Sequence, residues 1–570
     1  MRDAWGANRF LERYFWIVVT LLALAAVSLE LTSALQETQT WDEGIHISAG
    51  YAYWTRGDFR WNQEHPPLAK LVCSLPLLAL PLRLPVGSEG WRKLDETQMG
   101  IDFLYRNRAG ADEILIAARS MNMLLSGLFL FAVAWLARRT FGSVAALLAV
   151  TLCAFDPNLI AHARYVTTDF PVTVFLFLTA LLWMEYLTSC RLRDLILASV
   201  ALALALATKF SAFLLLPSMA ILYVIRWRQM PSEFPLRRAA TACAFLAATS
   251  LVVVSLLYGQ ETLDSFSAET PALADVVERG NPTGEVLYTL GRWFHLPAHP
   301  FLTGLAEVAA HNHEGHASYL LGMHSDQGWW YYFPVVFAVK STITALIAIV
   351  LLLAGGVAGR KRWRQIPFFW YGLLIPPLVY FVLSMTSGID IGVRHILPVY
   401  PFLYLGVAVL LSRAIKSQAS GRRWARLAMV GLACLQIAEC AWIAPDYLAF
   451  FNALVGGPGN GPRYLVDSNI DWGQDVKKLK KWLKAHGTNT ARVWYFGNAQ
   501  MDYYGIYADA FPDPLDQKGW DAINGYGVAS VTVLEGVYVP LNTVAPLRLK
   551  EPMAKVGWSM YVYDLRKGRR

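Results

Sequence analysis

Two stretches gather ionisable side chains where apolar runs end. The first, "TWDEGIHISAGYAYWTRGDFRWNQEHPPLAKL", runs from Thr40 to Leu71 and follows an apolar run over 14–35. It sets two adjacent carboxylates, Asp42 and Glu43, one turn ahead of His46, and closes on Glu64-His65-Pro66-Pro67-Leu68-Ala69-Lys70. A carboxylate at a membrane boundary, beside apolar walls, is a candidate general base or cation ligand. A cation such as Lys70 is suited to a phosphate; its structural alternative is an interfacial lysine that snorkels to water. Neighbouring residues on a helix point about 100° apart, so Asp42 and Glu43 serve different partners. Spacing leaves open which of them takes a proton. Asp42 is also placed to cap or begin a helix, with His46 on the same face. The double proline fixes φ and removes two amide donors. It holds His65 in an extended segment, while Leu68 onward can start a helix carrying Lys70.

The second stretch, "FDPNLIAHARYVTTDFPVT", places Asp156 and Asp169 on either side of His162 and Arg164. Asp169-Phe170-Pro171 reads as a helix start with Asp169 as the cap. The basic residues Arg164, Lys209 and Arg394, the last followed by His395, stand at the mouths of apolar runs. Together they can form an anion site for a phosphate at one leaflet. A third stretch holds His295, His299, His311, His313, His316 and His324. A divalent metal is possible there. There is no HExxH and no second cluster at ligand spacing, so the chemistry does not require one. An aromatic loop on the membrane surface accounts for it as well, with Trp329, Trp330, Tyr331 and Tyr332 as an interfacial belt.

The elements that must position these groups are membrane helices. The chain has 570 residues, 55% hydrophobic and only 16% charged, where soluble chains carry roughly a quarter charged residues. Eleven apolar windows reach or approach the roughly 20 residues a bilayer needs: 14–35, 113–137, 143–160, 166–187, 193–208, 210–226, 238–258, 333–355, 366–386, 396–413 and 424–444. The first is longer than a signal core and is read as a retained anchor. Lys and Arg gather in alternate loops, around Arg138/Arg139, Arg191/Arg193, Arg226–Arg238, Arg360–Arg364 and Arg413–Arg426. The three short opposite loops show one each: Arg164, Lys209 and Arg394. By the positive-inside rule the N-terminus is cytoplasmic, and the long loops 36–112 and 260–332 lie outside with everything after Ala444. The net charge of +8 is thus topology, and nucleic acid is not a partner. The six cysteines, in no paired spacing, indicate neither a disulfide framework nor a zinc ribbon.

The division expected is a membrane part over 1–444 and an extracytoplasmic α/β domain over 445–570. The tail carries strand-like runs at 491–497, 528–539 and 558–565, and a lysine-rich amphipathic helix at 475–486. The fold class is therefore an all-α polytopic membrane protein with a C-terminal α/β domain.

Asp42-Glu43 after the first span, "HPPLAK", "TTDFP" and "GVRHILPVYPFLYL" resemble, in combination, the protein O-mannosyltransferases and lipid A aminoarabinose transferases. Both belong to glycosyltransferase family 39, of the GT-C fold. The resemblance covers about 10–445. It implies transfer of a sugar from a polyprenyl-phosphate carrier to a protein, lipid or glycan acceptor on the outer face, with membrane lipids as surroundings. By that resemblance Asp42 is catalytic and Glu43 supports it. His65 and Lys70 line the same pocket, Asp169 is the second-loop aspartate, and Arg394 meets the carrier phosphate. His65 stands where aminoarabinose transferases carry lysine, which makes the mannosyltransferase form closer. The MIR repeats of protein mannosyltransferases are not recognisable, and the tail with "DSNIDWGQDVKKLKKWL" differs. One visible base without a second committed nucleophile points to inversion. The alternative class is a transporter or flippase of lipid-linked sugars, with charges lining a pathway and inverted repeats; the ionisable residues here gather on one side, and no repeat is evident. A receptor whose tail binds a partner would have no need of Asp42.

Overall fold

The computed structural model describes residues 2–267, 270, 277, 281–294, 299–358, 366–416 and 421–566. His295 and the basic residues 360–364 lie outside the described residues. All eleven apolar windows fall on helices, but not all make one straight span. Seven helices among the described residues are long and apolar enough to cross a bilayer: Glu12–Ala34, Ala111–Phe141, Asp169–Ser189, Phe210–Gln229, Leu236–Leu263, Val399–Lys416 and Arg422–Ile443. Two windows are bent pairs, Ser143–Ala154 with Pro157–Ala163 at 66° and Tyr332–Lys340 with Ile343–Val357 at 113°. The remaining two, Leu192–Leu206 and Phe368–Ser384, are 15 and 17 residues long.

Each bend has a local cause. Before Pro157, Asp156 caps the second helix by accepting from the amides of Asn158 and Leu159, and proline suits a first helical turn. At the sharper bend, Glu439 accepts from the amides of Ile343 and Thr344, so the freed backbone donors are not left bare in an apolar layer. Asp169–Ser189 is central, its apolar window 83% buried, whereas Leu236–Leu263 is peripheral at 11%. The central helix is thus apolar all round because protein surrounds it, the peripheral one because lipid does.

Segment 36–112 folds into short helices over the span ends. Glu43–Arg56 packs on Glu96–Tyr105, and on Leu68–Ser74 through Ile47, Tyr51, Cys73 and Phe103. Gly44 and Gly100 let the first two touch backbone to backbone: a Cβ on Gly100 would lie 2.7 Å from the Gly44 carbonyl carbon. Farther along, Ser318–Leu320 (β1) and Met323–Ser325 (β2) make a hairpin.

The C-terminal region holds a five-stranded sheet built from Thr490–Trp494 (β3), Tyr507–Asp509 (β4), Tyr526–Ser530 (β5), Ala554–Val556 (β6) and Met560–Asp564 (β7). The order is β4-β3-β5-β7-β6. β3 is parallel to β4 and β5; β7 is antiparallel to β5 and β6. The expected run 528–539 is a strand only to Ser530; Val531–Leu534 is helical. The lysine-rich helix, Val476–Ala485, seats Val476, Leu479 and Leu483 on the sheet core.

Candidate active site

Asp42 sits one residue before the Glu43–Arg56 helix, at φ −83° and ψ −22°, and its side chain makes no capping hydrogen bond. The carboxylate is directed elsewhere: Arg394 Nη1 donates to Asp42 Oδ2 at 2.9 Å. Asp169, expected as a cap, is instead the first residue inside its helix, after Thr168. Its Oδ1 accepts from Lys209 Nζ at 2.5 Å, and its Oδ2 lies 3.8 Å from Arg394 Nη1. Charge pairing outweighs capping here, because two cations at the helix mouth offer more to a buried carboxylate than one backbone amide. The result is an alternating row, Asp42–Arg394–Asp169–Lys209, built from four separate segments.

Access separates the two acids. The Asp42 side chain is 25% exposed and that of Asp169 is 2%. Arg394 stands on the short turn Val393–Ile396. The Asn469 side-chain carbonyl accepts from the Val393 amide, and Ser468 Oγ donates to the Ile391 carbonyl, so the turn is held from the C-terminal region. The Arg394 guanidinium lies over the Trp472 ring, 4.3 Å from its centroid.

Three histidines border the row. His46 Nδ1 is 2.9 Å from the Val166 carbonyl, and its ring centroid is 5.3 Å from that of His65. His395 is next in chain to Arg394. Burial depresses all three, with His65 and His395 well below the ordinary imidazole range. At neutral pH they are uncharged, so the fixed positive charge of the row belongs to Arg394 and Lys209. Lys70 is buried and does not snorkel. Its ammonium donates to the Asn62 carbonyl and to the His65 carbonyl at 2.7 Å, and burial brings it down to about 7. It fixes the backbone that presents His65.

Glu43 and Arg164 are placed apart from the row, in buried ion pairs. Glu43 is fully buried and receives Arg119 on both oxygens, at 2.8 and 2.6 Å, together with the amides of Val166 and Thr40. Arg164 pairs with Glu37 at 2.7 Å and donates to the Tyr165 hydroxyl. Neither Arg119 nor Glu37 stood out in the sequence, although a lone arginine inside an apolar run is itself a signal. The role of "DSNIDWGQD" was equally hidden: 467–475 is buried almost throughout and touches the segments bearing both Asp42 and Arg394.

Among the described residues, no group of three or more His, Cys, Asp or Glu is arranged to hold a metal ion. His311 Nε2 instead meets His316 Nδ1 at 3.2 Å, with Glu64 3.3 Å from the other nitrogen of His311.

Residues 112–258 match the family model of the dolichyl-phosphate-mannose-protein mannosyltransferases. That stretch contains Arg119, Arg164, Asp169 and Lys209. No curated protein matches the chain in sequence. Among solved structures, the chain is similar to ArnT from Cupriavidus metallidurans bound to undecaprenyl phosphate, at 14% identity, 97% of this chain, 99% of that chain and a TM-score of 0.44. It is also similar to the oligosaccharyltransferase of Archaeoglobus fulgidus tethered to an acceptor peptide, at 11% identity, 94% of this chain, 72% of that chain and a TM-score of 0.48. The same archaeal enzyme, AglB, in complex with an inhibitory peptide and a dolichol-phosphate gives the same values.

Proposed function

We propose that this protein is a multi-pass membrane glycosyltransferase. It moves a sugar from a polyprenyl-phosphate carrier to a protein, lipid or glycan acceptor on the outer face of a bacterial inner or plasma membrane. The N-terminus is then cytoplasmic and 445–570 an extracytoplasmic domain. The observation that carries this reading is the row Asp42–Arg394–Asp169–Lys209, in which Asp42 is the reachable acid. The match over 112–258 to a family of lipid-phosphate sugar transferases supports it.

The row has the parts that transfer needs. Arg394 and Lys209 stabilise the negative charge that grows on the departing carrier phosphate. Asp169 sits between them and holds them at fixed spacing. Asp42 accepts the proton of the acceptor nucleophile. The new bond forms between that nucleophile and the anomeric carbon as the bond from that carbon to the phosphate oxygen breaks. The phosphate leaves as polyprenyl phosphate, the proton stays on Asp42, and attack opposite the leaving group inverts the anomeric centre. Asp42 and Arg394 neutralise each other in this arrangement. A donor phosphate competes for Arg394 and frees Asp42 Oδ2, so the base becomes available when the donor is in place.

Incubation of the purified protein with polyprenyl-phosphate sugars and a labelled acceptor pool, read by mass spectrometry, tests the reading. A sugar mass added to an acceptor with release of polyprenyl phosphate is expected. Movement of intact lipid-linked sugar across vesicles, with no adduct, would replace it with the transporter reading.

A further inference from the structure

The segment Asp467–Asp475 is hydrogen-bonded both to the turn that carries Arg394 and to the residues just before Asp42. On one side it holds the turn of Arg394, through Asn469 to the Val393 amide and Ser468 to the Ile391 carbonyl. On the other it receives the residues just before Asp42: the Trp41 amide donates to the Trp472 carbonyl at 2.9 Å, and the Thr38 amide to the Gln474 carbonyl at 2.8 Å. Lys340 donates to the Asn469 carbonyl. Trp472 stands at the middle of this strap, 1% exposed. Its ring faces the Arg394 guanidinium at 4.3 Å and meets the rings of His162 and Tyr165 edge-on.

Arg394 has donors that this arrangement does not use. Nη1 serves Asp42, while Nε is buried and has no hydrogen-bond partner. A buried, unpaired guanidinium donor carries a desolvation cost unless an acceptor arrives to meet it. A guanidinium stacked on an indole keeps its in-plane donors free, because the ring covers only a face.

We propose that Trp472 is a positioning residue for the carrier phosphate. Its indole fixes the plane of the Arg394 guanidinium so that the unused edge is presented to a phosphate, while the strap on either side of it ties the Asp42 and Arg394 segments into one frame. This inference rests on the glycosyltransferase reading above and adds to it a residue from the C-terminal region that works through Arg394.

Binding of undecaprenyl monophosphate to the full-length protein in nanodiscs tests it, with wild type, Trp472→Leu and Trp472→Phe compared and each variant's thermal unfolding recorded alongside. Loss of the aromatic face in Trp472→Leu is expected to weaken binding about tenfold when measured well below that variant's own, lowered unfolding temperature, and Trp472→Phe to recover most of that loss. Turnover should show the same split, with the donor KM raised more than kcat is lowered. Wild-type affinity in Trp472→Leu overturns the inference and leaves the glycosyltransferase reading standing. Equal losses in the leucine and phenylalanine variants also overturn it, since the side chain then acts by volume alone. If Trp472→Leu does not fold, Trp472→Met replaces it in the comparison. A wild-type protein that does not bind the lipid phosphate removes the carrier reading itself, and this inference with it.

Discussion

Asp42 and Arg394 are 352 positions apart in the chain and 2.9 Å apart in space. Each is the other's charge partner, and in the proposed mechanism each takes a separate task once a donor binds. Asp42→Asn is therefore expected to lower kcat by about 10²–10⁴-fold, the usual contribution of a positioned base. It should tighten binding of the carrier phosphate, because a carboxylate no longer competes for Arg394. Turnover assays and lipid-phosphate titration check both halves; near-normal turnover would remove Asp42 from the mechanism.

Arg394→Lys keeps the charge and loses the planar fork. Donor affinity should fall about tenfold or more, because one ammonium cannot serve Asp42 and a phosphate in the same geometry. Acceptor KM should hardly move. A donor affinity unchanged by the lysine would mean that the phosphate does not meet this arginine.

Glu43 lies beside Asp42 in the chain but in a buried ion pair with Arg119, and it is expected to act as a structural anchor. Removing one partner of a buried ion pair costs about 3–5 kcal/mol, so Glu43→Gln and Arg119→Met should each unfold at clearly lower temperature. Glu43→Leu with Arg119→Met should regain part of the loss. At a temperature where Glu43→Gln remains folded, its turnover should stay within a few-fold of wild type. A large loss in kcat there, with normal unfolding, would return Glu43 to the chemistry.

Asp390, next to the Arg394 turn, is 1% exposed and accepts from the Trp329 amide. Burial raises its carboxyl from 3.8 to about 7. Between those values the folded chain keeps a proton that the unfolded chain has released, so this residue's contribution falls as pH rises through the window. Asp390→Asn should therefore gain unfolding temperature relative to wild type progressively from pH 4 to pH 8. A constant difference between the two across that range would contradict this.

Orientation is checked by labelling. Leu515→Cys, in the exposed part of the C-terminal region, should react with a membrane-impermeant maleimide added outside intact cells. Gly421→Cys, beside the last basic loop, should react only after lysis. The reverse pattern would invert the topology.

The sequence disclosed the membrane helices because lipid demands long apolar runs and basic loops whatever the packing. It singled out Asp42, Asp169, Lys209 and Arg394, which the fold brings into one charged row, because charge at the end of such a run stands out. It misjudged Asp169 as a cap, since short-range helix rules cannot see Lys209 or Arg394 arriving from elsewhere. It grouped Glu43 and Arg164 with them because it could not see their buried partners, Arg119 and Glu37, which are distant in the chain. The contact of Trp472 with Arg394 left no signal in the sequence. A tryptophan in a polar-looking tail acquires meaning only from the guanidinium it covers.

The hydrogen bonds from Thr38 and Trp41 to the 472–474 backbone also set an order of events in biogenesis. Asp42 leaves the ribosome early, yet the frame that aligns it with Arg394 waits for a segment made more than four hundred residues later. A nascent or truncated chain can insert its helices and still lack an assembled centre. Under the proposed function, the centre would be incomplete until residues 467–475 have been made and docked.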